Sequence, residues 1–216
     1  MNEYRKCTLC PRNCGIDRTK ITGICGSDEK CRIVRAALHY WEEPCISGES
    51  GSGTIFFSGC SLVCVFCQNY AISDGKSVCG VEVDCNRLCD IFFELKEKGA
   101  NNINFVTPTH YMPHIKEAVM AAKDKGFDLP FVYNTSGYEK KEIIGSLNGL
   151  IDVYLPDFKY YDSQLAGKYS KAPDYFEKAS AALDEMVRQT GRAEFGSDGM
   201  IKKGVIVRHM VLPNHT

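Results

Sequence analysis

The sequence predicts an α/β protein built on a parallel β-sheet. From residue 53 onward, strand-like segments alternate with helix-like segments, an order that lays successive strands side by side in parallel. Strand bodies such as residues 151–155 are almost continuously apolar, as expected of strands that are covered on both faces. The chain has 216 residues, 44% hydrophobic and 25% charged, which is the ordinary balance of a globular domain.

The first half of this region gives two strands and two helices. Residues 54–58 are an apolar run and form the first predicted strand. Residues 86–98 form a helix, because their apolar side chains recur at helical spacing. Residues 102–107 form the second strand, and residues 111–125 form a helix that Gly126 ends.

The second half repeats the alternation. Apolar runs mark its strands, and Phe176, Leu183 and Met186 recur along one helical face. An Asp-Gly pair at 198–199 marks the turn of a small hairpin. The expected elements are strand 129–133, helix 140–147, strand 151–155, helix 174–189 and strand 204–212.

Residues 1–50 differ from the rest, because they carry six of the twelve cysteines and show little periodicity. We expect a small metal-stapled module at 1–50, followed by a larger domain at 51–216, since units this short need a staple. Four of the cysteines fall within nineteen residues: Cys7, Cys10, Cys14 and Cys25. Such a set can hold either a closed four-cysteine zinc site or an auxiliary [4Fe–4S] cluster.

Three further cysteines, Cys60, Cys64 and Cys67, follow the first strand at C-x3-C-x2-C spacing. Three thiolates in one loop can hold three irons of a [4Fe–4S] cluster and leave the fourth iron open. Clusters used for electron transfer normally close every corner with cysteine, so an open corner indicates chemistry on a bound molecule. A structural zinc site takes four ligands, which favours the cluster.

With aromatic Phe66 before its last cysteine, this loop resembles that of the radical S-adenosylmethionine (SAM) superfamily. The resemblance implies that SAM binds the open iron and is cleaved by one electron to a 5′-deoxyadenosyl radical, which takes hydrogen from a substrate. It also implies a partial (β/α)6 TIM-like open barrel. Because about five strands can be counted, we expect the chain to be truncated at its C-terminus.

Polar residues follow several predicted strands, at the end where α/β barrels carry their active sites. Asn134-Thr-Ser-Gly, Pro156-Asp-Phe-Lys159 and the segment around Arg208 are similar to third-, fourth- and fifth-strand motifs of glycyl-radical-enzyme activating enzymes. The resemblance implies that Arg208 pairs with the SAM carboxylate. The full set of expected SAM-binding residues is Phe66, Thr107, Asn134, Ser136, Asp157, Lys159 and Arg208.

The resemblance is closest to the branch called pyruvate formate-lyase activating enzyme-like. It implies an oxidoreductase that activates a glycyl radical enzyme, with flavodoxin or ferredoxin as reductant. Another peptide, an RNA or a small molecule is the alternative substrate, and a non-catalytic zinc-stapled interaction module is the alternative from a different class. The chain departs from the family pattern at Val106-Thr-Pro-Thr109, where Gly-Gly-Glu is common, and in carrying its extra cysteines before the loop.

Composition narrows the classes of binding partner and the cellular compartment that we expect. The net charge of −1 gives no electrostatic footprint for nucleic acid or an anionic membrane, and no apolar run has membrane-spanning length. The polar start lacks a signal peptide, so twelve cysteines favour metal binding or reduced thiols in the cytoplasm. We expect His110 and His114 on a polar rim, and Cys79, Cys85 and Cys89 as packing thiols.

Overall fold

The computed structural model describes residues 2–74 and 80–213, so Cys79 lies outside the described residues. Within those ranges, nine strands form one mixed sheet. The strands are β1 (Arg32–His39), β2 (Ser52–Phe57), β3 (Val81–Glu82), β4 (Ile103–Val106), β5 (Phe131–Thr135), β6 (Val153–Phe158), β7 (Glu194–Phe195), β8 (Ile201–Val205) and β9 (Arg208–His209).

The sheet has the order β3-β1-β2-β4-β5-β6-β8-β7. Strand β9 is outside this order and pairs with β6 after the end of the β6–β8 ladder. Strands β2, β4, β5, β6 and β8 are mutually parallel, as the strand–helix alternation predicts. Strand β1 runs antiparallel to β2 and β3 at one edge, and β7 runs antiparallel to β8 at the other. The sheet is therefore open, and it does not close into a barrel.

Helices pack on the sheet, and the four that contain Leu88, Ile115, Ile144 and Met186 cover one face. The helices are α1 (Pro44–Ser47), α2 (Tyr70–Ser73), α3 (Cys85–Glu97), α4 (Met112–Asp124), α5 (Lys141–Gly145), α6 (Ser163–Ser170) and α7 (Tyr175–Thr190), and 3-10 turns lie at Asn2–Tyr4 and Thr109–Tyr111. The main core lies between this layer and the sheet, where Phe92 meets Phe105 and Phe131 at ring distances of 5.5 and 5.4 Å.

The opposite face of the sheet is apolar at one end and polar at the other. Because side chains alternate along a strand, Val132 shares this face with Asn134, and Val153 and Leu155 share it with Asp157. The apolar members pack around Ile46 of α1. The polar members lie beyond them, toward the carboxyl ends of the parallel strands, and this end of the face forms the candidate site.

The structure confirms most predicted elements and corrects one strand. The predicted strand at 204–212 is wrong in its bounds: β8 begins earlier, and the ladder is interrupted before β9 pairs Arg208 with Asp157. The expected hairpin is present as β7 and β8, with Gly196 N–H donating to the Met200 carbonyl at 2.9 Å. Helix α6 and strand β1 are absent from the predicted elements.

The cysteine-rich segment packs directly on the larger domain. Tyr4, Cys7 and Leu9 belong to the same hydrophobic cluster as α3 and α4, and β1 pairs with β2 across residue 50. The division into modules at residue 50 stays a prediction, but the two parts share one core and one sheet. Cys89 is fully buried and Cys85 half-buried, in keeping with packing thiols.

The two histidines predicted at a polar rim are both buried, so that expectation is wrong. His110 is 1% exposed and its Nε2 lies 2.7 Å from the Ser58 carbonyl. His114 stacks on Tyr4 and contacts the Glu29 carbonyl. Burial lowers the pKa of His110 to about 3, so this imidazole is neutral in the fold.

None of the helices in the described ranges combines the length and the apolar content that crossing a bilayer requires.

Candidate functional site

A cavity of about 660 Å³ lies on the polar end of the open sheet face. Ten residues selected from the sequence line it together: Cys60, Cys64, Phe66, Cys67, Thr107, Asn134, Ser136, Asp157, Lys159 and Arg208. They lie at the carboxyl ends of β4, β5 and β6, on β9, and in the loop after β2. The remaining four selected residues, the N-terminal cysteines, are not part of this lining.

The three-cysteine loop begins with a glycine that no other residue can replace without strain. Gly59 has φ +84°, and a Cβ there would lie 2.4 Å from the Cys25 carbonyl oxygen. The loop then folds back on its sulfurs, since the Leu62 N–H donates to Cys60 Sγ at 3.4 Å. The Ser73 hydroxyl donates to Cys67 Sγ at 3.2 Å. Donors to sulfur stabilise the thiolate form.

The three thiols are electrostatic neighbours. Burial raises the pKa of Cys60 to about 11, backbone N–H groups of Val63 and Leu62 oppose this shift, and the Cys64 and Cys67 thiols add to it. Burial likewise raises the pKa of Cys64, whereas the Lys159 ammonium lowers it. A buried thiol ionises more readily when a bound metal supplies positive charge.

Across the described residues, no three His, Cys, Asp or Glu side chains converge closely enough to hold one metal ion. A zinc ion needs four ligands around a single point, whereas each cysteine of a [4Fe–4S] cluster binds a different iron. Cys60, Cys64 and Cys67 line one cavity, and a cluster is the kind of centre in which three such thiols would bind three separate irons.

The loop is held from outside by the cysteine-rich segment and by α6. The Arg12 guanidinium donates to the carbonyls of Ser61 (2.9 Å), Leu62 (3.0 Å) and Ser170 (2.7 Å), and also to that of Lys171. Two backbone bonds complete the attachment: Cys60 N–H to the Cys25 carbonyl (3.2 Å), and Val65 N–H to the Tyr169 carbonyl (2.9 Å).

Phe66 gives the cavity an aromatic wall. Its ring lies 6.3 Å from Tyr160 and 6.2 Å from Tyr169, within a small hydrophobic cluster that includes Tyr138 and Tyr175. Because α6 and the start of α7 build this cluster, they fix the orientation of Phe66 beside the cysteines.

Opposite the cysteines lies a network of charged and polar side chains centred on Arg208. The guanidinium donates to Asp157 Oδ1 (2.9 Å), Asn134 Oδ1 (2.6 Å) and Glu42 Oε2 (3.3 Å). Lys159 Nζ donates to the second oxygen of Asp157 at 2.6 Å. Arg208 thus forms ion pairs with the carboxylates of Glu42, Glu43 (3.9 Å) and Asp157. Its Nη1 and Nη2 each make one of the hydrogen bonds above, although each carries two N–H groups.

Glu42 is a site residue that the sequence reasoning missed. Strand β1 ends at His39 opposite Ser52, the amino end of β2, and the chain then turns across the open face of the sheet. Glu42 thereby accepts hydrogen bonds from Arg208 and from Asn134 Nδ2 (3.2 Å). Burial raises its pKa and the Arg208 charge lowers it. An acidic pair after a strand was its one sequence signal, and Trp41, 89% exposed beside it, lines the same cavity.

Two residues that follow strands in the cavity, Gly137 and Thr107, have left-handed backbone conformations. Gly137 has φ +78°, and a Cβ there would lie 2.1 Å from the Asp157 carbonyl oxygen, so the turn after β5 packs directly on the end of β6. Thr107 has φ +59°, and its N–H donates to the Asn134 carbonyl at 3.0 Å. It belongs to the segment where the family that the chain resembles commonly has Gly-Gly-Glu. Left-handed backbone at a threonine is costly and is typical of functional sites.

The four N-terminal cysteines form a separate group behind the loop. Cys7, Cys10 and Cys25 are buried, and Cys14 is half-buried. Burial raises the pKa of Cys10 to about 12; the backbone N–H of Arg12 opposes the shift, and the Cys25 and Cys14 thiols add to it. Burial also raises the pKa of Cys25, which Arg18 lowers and Cys7 raises. Cys10 is thus an electrostatic neighbour of Cys25 and Cys14, and Cys25 of Cys7.

No protein-family profile matches this chain. An uncharacterized protein of Methanocaldococcus jannaschii is 30% identical to it over 221 aligned residues, covering 99% of this chain and 59% of that protein. The chain therefore spans about three-fifths of the length of this curated relative, which is similar in sequence along nearly all of the chain described above.

Proposed function

We propose that this chain is a radical SAM enzyme whose Cys60, Cys64 and Cys67 bind a [4Fe–4S] cluster with one open iron. One observation carries the proposal: the three thiols share a single cavity with every strand-end polar residue that the motif resemblance assigns to SAM. These residues are separated by up to about 150 positions in the chain, so the fold, and not a local pattern, brings them to one cavity.

The residues present fit both groups. Three cysteines without a fourth in the cavity lining leave one corner of a cluster free, and a cavity of about 660 Å³ lies within the size range of small-molecule sites. A cluster of this kind supplies the electron that cleaves SAM and so provides a 5′-deoxyadenosyl radical for hydrogen abstraction.

The chain's own side chains would orient SAM. Lys159 and the free N–H groups of Arg208 are the cations available to the carboxylate. Phe66 offers an aromatic surface near the cysteines, and the hydroxyls of Thr107 and Ser136 offer partners for a ribose. Asp157 and Glu42 hold the two cations at fixed positions, which reduces the ordering that binding requires.

The proposal also includes the barrel, the protein target and the electron donor that the family resemblance implies. Strands β2, β4, β5, β6 and β8 in parallel order are consistent with a partial (β/α)6 barrel whose remaining side is open. A glycyl radical enzyme in the cytoplasm is the proposed target, reduced flavodoxin or ferredoxin is the proposed electron donor, and an open sheet edge leaves room for a peptide segment. A different peptide, an RNA or a small molecule is the competing substrate class.

Anaerobic reconstitution tests the proposal. The reduced protein should show an electron paramagnetic resonance signal that changes when SAM is added, and should release 5′-deoxyadenosine. Cys64→Ala should abolish both effects, because a cluster held by two thiolates is not retained. Cys45→Ala, which removes a half-buried thiol of α1 outside the cavity lining, is the matched control and should keep both. A wild-type signal that ignores SAM, with no product, would refute the proposal.

A further inference from the structure

We propose that Ser73 is a positioning residue of the cluster site: its hydroxyl donates to Cys67 Sγ, and this hydrogen bond makes the [4Fe–4S] cluster easier to reduce. The inference rests on the proposed function, since it requires a cluster on Cys60, Cys64 and Cys67. It also goes beyond that function, because Ser73 is outside the cavity lining and outside the motifs that indicate the cluster or SAM.

Helix α2 holds Ser73 against the end of the three-cysteine loop. At the start of the helix, Tyr70 N–H donates to the Cys67 carbonyl at 3.2 Å. Near its end, the Ile72 carbonyl accepts from Gly59 N–H, just before the loop, at 2.7 Å. The helix is therefore attached to both ends of the loop, and these backbone bonds fix the position of its last residue, Ser73, relative to Cys67.

The Ser73 hydroxyl is buried and has a sulfur atom as its acceptor. Ser73 is 7% exposed, and its Oγ lies 3.2 Å from Cys67 Sγ. A neutral thiol is a weak acceptor, whereas a hydrogen bond to an ionised group is about twice as strong as one between neutral groups. The bond from Ser73 is therefore strongest when the Cys67 sulfur is a thiolate, which is the form that binds metal.

Reduction increases the negative charge to which Ser73 donates. One electron passes from the proposed donor, reduced flavodoxin or ferredoxin, to the cluster; no bond forms or breaks, and part of the added charge lies on the cysteine sulfurs. Hydrogen bonds to the sulfurs are among the factors that set the potential of an iron–sulfur centre, and a donor favours the more negatively charged form. The Ser73 hydroxyl should therefore raise the midpoint potential.

The donors to Cys60 and Cys67 differ in kind. Cys60 Sγ accepts from the backbone N–H of Leu62 at 3.4 Å, and no side-chain substitution removes that group. Cys67 Sγ accepts from a side-chain hydroxyl, which a single substitution removes without changing the loop itself. Ser73 is therefore the position at which the effect of one sulfur hydrogen bond on the potential is measurable.

The test is a redox titration of the anaerobically reconstituted chain, followed by the electron paramagnetic resonance signal of the reduced cluster. Ser73→Ala should keep about four irons per chain. At a fixed ambient potential its ratio of oxidised to reduced cluster should be about three- to tenfold larger, and tenfold is a midpoint lower by about 59 mV for one electron. Ser146→Ala is the matched control, because the Ser146 hydroxyl donates to the Ile143 carbonyl of α5 (2.7 Å), and it should keep the natural potential.

A second pair of variants separates the hydroxyl from the shape of the side chain. Ser73→Thr keeps the hydroxyl and should keep the natural potential, whereas Ser73→Val has nearly the same shape as threonine without the hydroxyl and should show the fall. Loaded Ser73→Ala and Ser73→Val with the natural potential would overturn this inference and leave the proposed function standing.

Two outcomes concern the iron content. Loss of iron from Ser73→Ala and Ser73→Val, with Ser73→Thr fully loaded, would also overturn the inference, because the hydroxyl would then retain the cluster and not set its potential. A natural chain that takes up no iron on reconstitution would instead refute the proposed function, and this inference with it.

Discussion

At the scale of single residues, Arg208 shows how the cavity wall is organised. Its guanidinium joins side chains from three distant parts of the chain, Glu42, Asn134 and Asp157, and it is about one-third exposed. Motif resemblance selected Arg208, Asn134 and Asp157, because these residues belong to strand-end patterns. The resemblance did not select Glu42, because no local sequence pattern indicates that the segment after β1 crosses the sheet face.

The network predicts a pH-dependent loss of stability for Arg208→Gln. Arg208 lowers the pKa of Glu42. Without that charge, burial and the neighbouring Glu43 and Asp157 carboxylates raise the pKa of Glu42 further. A carboxyl whose pKa is higher folded than unfolded destabilises the fold as pH rises through the interval between the two values. We expect a loss of about 1–2 kcal/mol in unfolding free energy at pH 8 and a smaller loss at pH 5, measured by urea unfolding.

Two further variants isolate the cause. Adding Glu42→Gln to Arg208→Gln should recover part of the loss at pH 8, because the buried carboxylate of Glu42 that lost its Arg208 partner is then a neutral amide. Arg35→Gln, at an exposed position of β1, should change little at either pH. An equal loss for Arg208→Gln at both pH values, without recovery in the double variant, would show that Glu42 is not the source of the effect.

At the scale of elements, helices and central strands could be predicted from the sequence because their apolar patterns are long. Strand β1 could not, since Ile33 is the sole fully buried residue among its eight and its alternation is weak. Helix α6 is short and contains Gly167, which weakens a helical pattern. Both missed elements carry the site: β1 leads to Glu42, and α6 supports the three-cysteine loop through Tyr169 and Ser170.

Arg12 joins the cysteine-rich segment to the three-cysteine loop and to the end of α6, and its replacement is the second prediction. Its planar guanidinium donates to carbonyls of the three-cysteine loop and of the end of α6. A lysine ammonium is a compact donor that cannot span both segments. Arg12→Lys should therefore lower the unfolding free energy by about 2 kcal/mol. If the loop binds the proposed cluster, the same variant should release iron to a chelator faster after reconstitution.

The comparison for Arg12→Lys is Arg87→Lys on α3. Arg87 is also an arginine with two hydrogen bonds to one neighbour, but these go to the exposed Glu94 side chain of the same helix and not to carbonyls of the loop. Exposed ion pairs contribute little to stability, so this variant should behave like the natural chain. Equal iron release from the two variants would mean that Arg12 does not position the loop.

At the scale of the whole molecule, parallel register explains why residues from distant segments meet. Neighbouring parallel strands end at one edge, so Val106 pairs with Asn134 and Asp157 with Arg208. The sequence predicts this convergence at the level of strand order. It does not predict that the cysteine-rich segment packs behind the loop, with the Cys25 carbonyl accepting from Cys60 N–H, because that contact depends on the three-dimensional path of the first fifty residues.

The last prediction follows from this convergence. If thiols and strand ends together form one SAM site, then SAM links the loop after β2 to β5, β6 and β9, and binding must stabilise the chain as a whole. With the cluster loaded and SAM at about 100 times its dissociation constant, the unfolding free energy should rise by about 2.7 kcal/mol. Anaerobic thermal unfolding with and without SAM measures the rise. Cys64→Ala should show no rise, since it lacks the open iron, and Cys45→Ala should show the full one. A rise of equal size in Cys64→Ala would place SAM outside the proposed cluster site.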